Sequence, residues 1–160
     1  MLSLKNDPEA KIKELGLNLP EPPKPVASYV PTVIASNNLL YTSGNLPLEN
    51  GKVLYTGKMG EGKNTIEIGA EASKLATLNS LSAVKAAVGN LSRIKRVIKV
   101  TGFVNSKAGF TDQPKVINGA SDLLVSIFGD AGKHARSAVG ISELPLNALV
   151  EIEFIYQLNE

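Results

Sequence analysis

The chain has no cysteine, which excludes disulfides, thiolate metal sites and thiol nucleophiles. Histidine occurs once, as His134. A histidine-built metal cluster is therefore not expected. A Ser-His-Asp triad is not expected either: the Gly-x-Ser-x-Gly elbow is absent, so some other serine would have to meet that ring. No apolar run approaches the roughly 18 residues that a membrane span requires. Met1 to Gly16 lacks a long apolar core and carries Lys5, Asp7, Glu9, Lys11, Lys13 and Glu14, which argues against a signal peptide. A cytoplasmic protein with no membrane partner is expected. Excess charge is lacking too. The 17 basic and 15 acidic residues leave a net charge of +2, which is no electrostatic footprint for nucleic acid.

What remains is an ordinary globular composition, 43% hydrophobic and 20% charged over 160 residues, enough for one domain with a real core. Asp7-Pro8 reads as the capped start of a short helix that Leu15-Gly16 closes. Pro20-Glu21-Pro22-Pro23-Lys24-Pro25 can be neither helix nor central strand. Residues 1–25 are read as an arm laid on a single domain formed by residues 26–160. In that domain, Val30–Ala35 and Leu39–Ser43 form a hairpin around Ser36-Asn37-Asn38, and a third strand is expected near Val53–Thr56. Ile66–Val88 is a long helix with a broad apolar arc. Ile94–Asn105 is a strand, with Ile98, Val100 and Val104 on one face and Val97, Thr101 and Phe103 on the other. A second helix starts at Thr111 or Asp112, with Pro114 in its first turn, and runs to Gly129. Strands at Ala135–Ile141 and Ala148–Leu158 close the chain, the last alternating Val150, Ile152, Phe154, Tyr156 and Leu158 with polar residues. The order predicts an α+β fold with two helices on one face of a mixed sheet. The other face is partly apolar and has no helix left to cover it, which predicts self-association.

Two residues stand out as chemistry. Arg136 lies inside a strand with Ala138 and Gly140 as its small same-face neighbours, leaving room for a guanidinium to grip a carboxylate or phosphate. The alternative is an ordinary ion pair or a surface arginine whose stem packs while its head reaches water. Glu151 lies on the face of the last strand opposite Phe154; it is either a solvated carboxylate or one that orients water. A tight hairpin around Pro145 would put Arg136 opposite about residue 155, so the two could share a site only along a diagonal or across an interface. The basic run Arg93, Lys95, Arg96, Lys99 has no interleaved aromatics and reads as a charged strand entry. The glycines of Thr56–Lys63 lack the Gly-Lys-Ser/Thr ending of a phosphate loop.

With Arg136 in view, Tyr29 to Tyr156 resembles the Rid (reactive intermediate deaminase, or YjgF-like) family. The resemblance is carried by Tyr29-Val30, Thr42-Ser43-Gly44, Val116-Ile117-Asn118, Ala135-Arg136-Ser137-Ala138-Val139, Leu144-Pro145 and Val150-Glu151-Ile152-Glu153. The Pro-rich arm and Gly109–Asp122 look like a longer branch of it. The resemblance implies a chorismate-mutase-like fold, a homotrimer whose sheets form a central β-barrel, and three clefts between neighbouring subunits. It also implies a small carboxylate substrate and no cofactor or metal. In such a cleft Arg136 would hold the carboxylate of a 2-imino or 2-amino-enoic acid, and the Ala138 backbone would help to position it. Tyr29, Ser43, Gly44 and Asn118 would wall the site, and Glu151 would orient the water that releases ammonia and leaves a 2-keto acid. An imine is already electrophilic, so positioning and charge stabilisation can suffice. The chain departs from common deaminases at Ala138, where a cysteine is frequent, and at Gly140, where many members carry a larger polar residue, so that the position stands open. Two alternatives remain: a non-catalytic small-carboxylate binding protein, and an endoribonuclease or translation inhibitor. A histidine pair and an aromatic basic platform, which the latter would use, are both missing.

Overall fold

Asp7 begins the first helix, α1 (Pro8–Glu14), by accepting a hydrogen bond from the Glu9 N–H at 3.0 Å, with Pro8 at a position that needs no donor. The computed structural model describes residues 7–24 and 27–160. Ile12 of α1 is 2% exposed and joins the hydrophobic core. Glu9 accepts from Lys85 Nζ at 2.9 Å and from the Leu91 backbone N–H at 3.0 Å. The N-terminal segment thus docks through one apolar anchor and one carboxylate. The boundary expected between residues 25 and 26 lies outside the described residues.

The hairpin forms as the sequence predicts: β1 (Thr32–Ile34) pairs antiparallel with β2 (Leu39–Thr42), and Asn38 adopts a left-handed φ of 59° in the turn. The third strand needs correction. It is confined to β4 (Lys52–Val53) and pairs with β3 (Leu48–Glu49) in a separate ribbon. Asn50 and Gly51 both have positive φ (51° and 76°), the backbone of a type I′ turn, which folds the chain straight back on itself. Tyr55 and Thr56 run on past the loop before the last strand, where Tyr55 O accepts from Leu149 N at 3.0 Å.

The long helix, α2 (Ile66–Val88), has its predicted bounds and is capped by Thr65, which accepts from Ile68 N at 3.3 Å. It is followed by β5 (Ile94–Asn105), α3 (Gln113–Phe128), β6 (Ala135–Ile141) and β7 (Val150–Leu158). The five-stranded sheet has the order β1-β2-β7-β5-β6, with β6 parallel to β5 and the other pairs antiparallel. Helices α2 and α3 pack together over one face of this mixed sheet, as expected for an α+β fold. Two predictions about strand geometry fail. There is no tight hairpin at Pro145: β5 lies between β6 and β7. The α3 crossover sets β6 parallel beside β5, and the connection through Pro145–Asn147 is long enough to carry β7 to the far side of β5. The two faces of β5 are also not as alternation assigns them. A register shift between Val97 and Lys99 turns Val97 into the core beside Val100 and Val104.

The helix-free face carries Val33, Tyr41 and Val139, each 43–55% exposed, among Thr101, Glu151 and Glu153. Among the described residues no helix is long and apolar enough to cross a membrane.

The close approach of α2 and α3 depends on Gly119, where a methyl group would overlap the Ala70 carbonyl oxygen and stand 2.8 Å from Ala70 Cα. Backbone cannot swing aside as a flexible side chain can. Gly119→Ala should therefore destabilise the fold by about 2 kcal/mol or more, lowering Tm by roughly 4–8 °C in a thermal melt despite alanine's better helix propensity.

Candidate functional site

Strand β6 presents Arg136 on the helix-covered face, in register with the buried residues Val100 and Phe154. The half-buried guanidinium reaches α3. Its Nη1 donates to Asn118 Oδ1 at 2.9 Å and to Ser121 Oγ at 3.1 Å. Asn118 and Ser121 lie three apart on α3 and so share a face. Among the described residues Arg136 takes part in none of the ion pairs.

Ser121 is also bound to the chain's single histidine. Its Oγ lies 2.9 Å from His134 Nε2, and His134 Nδ1 lies 2.6 Å from Gly132 O. A serine does meet the ring after all. Burial pushes the His134 pKa below its ordinary value; the Gly132 carbonyl opposes this and Arg136 adds to it, so the ring is neutral at pH 7. A carbonyl oxygen only accepts, so Nδ1 carries the proton. Nε2 must then accept from Ser121.

The other candidates assemble elsewhere. Ser43 Oγ donates to Val30 O at 2.7 Å and Ser43 N to Pro31 O at 2.9 Å, which pins the Tyr29–Pro31 segment beside the end of β2. Asn45 then pairs with Ile152 of β7 through both backbone bonds, at 2.8 and 3.0 Å. This draws Gly44 against Glu151, whose carboxylate occupies the space that a side chain at residue 44 would fill. Tyr29, Ser43, Gly44 and Glu151 together line a cleft of about 930 Å³. The N-terminal segment supplies another wall through Leu19, Pro20 and Pro22, tied down by Ser82 Oγ, which donates to Pro20 O at 2.5 Å. Burial, and secondarily Glu153, raises the Glu151 pKa above the usual glutamate value.

One chain therefore brings Tyr29, Ser43, Gly44 and Glu151 together, and separately Arg136 with Asn118. It does not bring the two groups to each other. Glu151 is in register with Phe103 and Val139, three positions along from Arg136, and projects from the opposite face. The strands that carry the two residues are two spacings apart, about 10 Å. Ala138 sits beside Arg136, half-buried against the core. The open space expected at Gly140 is already filled. Gln113 Nε2, which donates to Phe110 O at 2.7 Å, lies only 2.5 Å from where a Cβ would stand. Among the described residues no cluster of histidine and carboxylate side chains is arranged to hold a metal ion.

Sequence reasoning missed Ser121, His134 and Gln113. The signals for the first two were present: Ser121 is one helical turn from Asn118, and His134 is two residues before Arg136, in the segment that leads into β6.

The model of the YjgF/chorismate mutase-like family, whose description also carries an endoribonuclease label, matches residues 9–158. The chain belongs to this YjgF family. Protein TCP17 of Trypanosoma cruzi is 41% identical over 151 residues, covering 94% of this chain and 93% of that protein. The crystal structure of the Agrobacterium tumefaciens protein Atu1372 superposes with a TM-score of 0.87 at 45% identity, covering 96% of this chain and 92% of the other. A mite relative from Dermatophagoides farinae, named 2-iminobutanoate/2-iminopropanoate deaminase, is 32% identical over 139 residues, covering 87% of this chain and 92% of that protein. The α+β architecture described above is the YjgF/chorismate mutase-like fold. YjgF-family membership spans proteins labelled deaminase and proteins labelled endoribonuclease, so membership alone does not fix the activity.

Proposed function

We propose that this protein hydrolyses small 2-imino acids to 2-keto acids and ammonia, in clefts completed between copies of the chain in a homotrimer. The observation that carries this reading is the division of the site. The Arg136 guanidinium lies on edge strand β6, and a walled cleft with a half-buried glutamate lies beside β7 and β2; among the described residues that line this cleft Arg136 is absent. The exposed apolar residues of the helix-free face supply the surface for joining copies. Closing three sheets into a barrel would bring the β6 edge of one copy to the cleft of its neighbour.

In that cleft Arg136 of one copy binds the substrate carboxylate, with Asn118 beside it and the Ala138 backbone helping to position the substrate. Tyr29, Ser43 and Gly44 of the next copy enclose the imine carbon. The Glu151 carboxylate accepts a proton from water as its oxygen adds to that carbon, and the C=N electron pair moves to nitrogen, which takes a proton from solvent. Glu151 then gives its proton to the carbinolamine nitrogen, the hydroxyl proton leaves to solvent, and the C–N bond breaks as the C=O forms, releasing ammonia. This needs no redox partner. Position and charge carry it.

The test generates 2-iminobutanoate in situ from an amino acid with an oxidase and follows early ammonia release, with light scattering on the same sample. Accelerated release by a trimer is expected. A monomer at micromolar concentration would overturn the shared site. A trimer that binds 2-keto acids without accelerating release would instead mark a non-catalytic carboxylate-binding protein.

A further inference from the structure

We propose that Ser121 and His134 are positioning residues for Arg136: a relay from Gly132 O through His134 to Ser121 fixes the orientation of the guanidinium. This rests on Arg136 being the carboxylate ligand.

The hydrogen-bond directions follow from the chemistry of each atom. Gly132 O accepts from His134 Nδ1–H, and His134 Nε2 accepts from the Ser121 hydroxyl. With its only proton committed to the imidazole, Ser121 has lone pairs left, and one of them meets Arg136 Nη1. Without the histidine the hydroxyl could rotate and point its proton at the cation. The relay makes Ser121 an obligate acceptor toward Arg136.

The second bond completes the restraint. Nη1 has two protons, one donated to Asn118 Oδ1 and the other to Ser121 Oγ. This fixes the guanidinium plane and leaves the Nε–Nη2 edge as the side-on pair of donors that a carboxylate engages bidentately. A free arginine side chain carries about 2 kcal/mol of rotamer entropy, so a fork held beforehand loses less on binding. The three residues come from separate positions, α3, the segment before β6, and β6 itself. Each of the three is half-buried, so the relay end of the network is partly shielded, while the bond to Asn118 faces solvent.

A purely structural tie between α3 and β6 is the competing account, and it predicts different measurements. The probe is 2-oxobutanoate, the keto acid that 2-iminobutanoate yields, titrated calorimetrically into the full-length protein, with kcat and KM for ammonia release and a thermal melt for each variant. Ser121→Ala should weaken 2-oxobutanoate binding and raise KM by about five- to tenfold, the size of one ordinary hydrogen bond, with kcat nearly unchanged. Ser121→Thr, which keeps the hydroxyl, should restore both. His134→Phe should give a smaller rise, about two- to fivefold, as part of the same hydrogen-bond effect. Because His134 acts only through Ser121, the double variant should match Ser121→Ala alone. A Ser121→Ala protein that melts earlier yet binds normally overturns the relay, as do multiplicative effects in the double variant. If Arg136→Ala binds 2-oxobutanoate as the wild type does, the carboxylate site and the relay fall together. If Arg136→Ala loses binding and Ser121→Ala is silent, only the relay falls.

Discussion

Arg136→Ala should lose roughly 30- to 1000-fold in kcat/KM for imino-acid hydrolysis, the about 2–4 kcal/mol of a charged, hydrogen-bonded contact, while remaining a trimer. The guanidinium makes its bonds to two side chains of α3 and forms no ion pair among the described residues, so little of the fold leans on it. Arg136→Lys keeps the charge but loses the planar fork, and it should recover only a small part of the activity. Steady-state kinetics and light scattering on each variant provide the check. A trimeric Arg136→Ala with wild-type activity would sink the carboxylate assignment. Collapse of the trimer in that variant would make Arg136 a structural residue.

The second large effect concerns Glu151. Its carboxylate lies against Gly44 in the cleft, with Glu153 two residues along on the same strand face. Glu151→Gln keeps the shape but loses the base, and kcat should fall about 10²- to 10⁴-fold. The pH profile tests the assignment independently. Burial first, and Glu153 second, raise the Glu151 pKa. The acid limb of kcat/KM should therefore lie above the usual glutamate range and disappear in the Gln variant. The linkage sign runs the other way for stability. A carboxyl group whose pKa is raised on folding binds more protons in the native chain than in the unfolded one, so its contribution falls as pH rises from the ordinary glutamate value through the raised one. Glu151→Gln should thus be modestly more stable than wild type at neutral pH while far less active, as a melt at pH 5 and pH 8 would show. An acid limb that persists in the Gln variant would assign it to another group.

Most of the fold was legible because the elements that carry it are long and regularly patterned. α2 and β5 have the bounds that capping and apolar runs predict, and β7 alternates without a break. Failures came where local pattern is silent. Pro145 marks a turn but does not say how far the chain travels after it, and Leu146 and Asn147, both with positive φ, begin a crossing of the sheet and not a hairpin. The register shift near Val97 has no compositional mark. Along α2, Ser73 and Thr77 look like surface residues but are buried, because their hydroxyls donate back to Gly69 O at 3.0 Å and Ser73 O at 2.8 Å. At the candidate site, strand patterning marked Arg136 and Glu151, and resemblance supplied the other residues and the expected roles. That they divide into two groups on opposite faces required the register of three strands at once.

The flanks of the sheet have a consequence for how the chain is made. β6 is an edge strand, with one side paired to β5 and the other carrying backbone donors and acceptors beside the exposed Val139, and β1 closes the far edge with Val33 and Ile34 about half-exposed. Such borders are templates for adding any extended segment, and proteins usually guard them with charge, bulges or cover. In the proposed trimer the cover is another copy of the same chain, and newly made monomers would then pass through a period in which correct closure competes with irregular strand addition. Closure is of higher order in concentration than folding is, so dilute chains linger longest with bare edges. For such an assembly, abundance itself would be a quality-control variable.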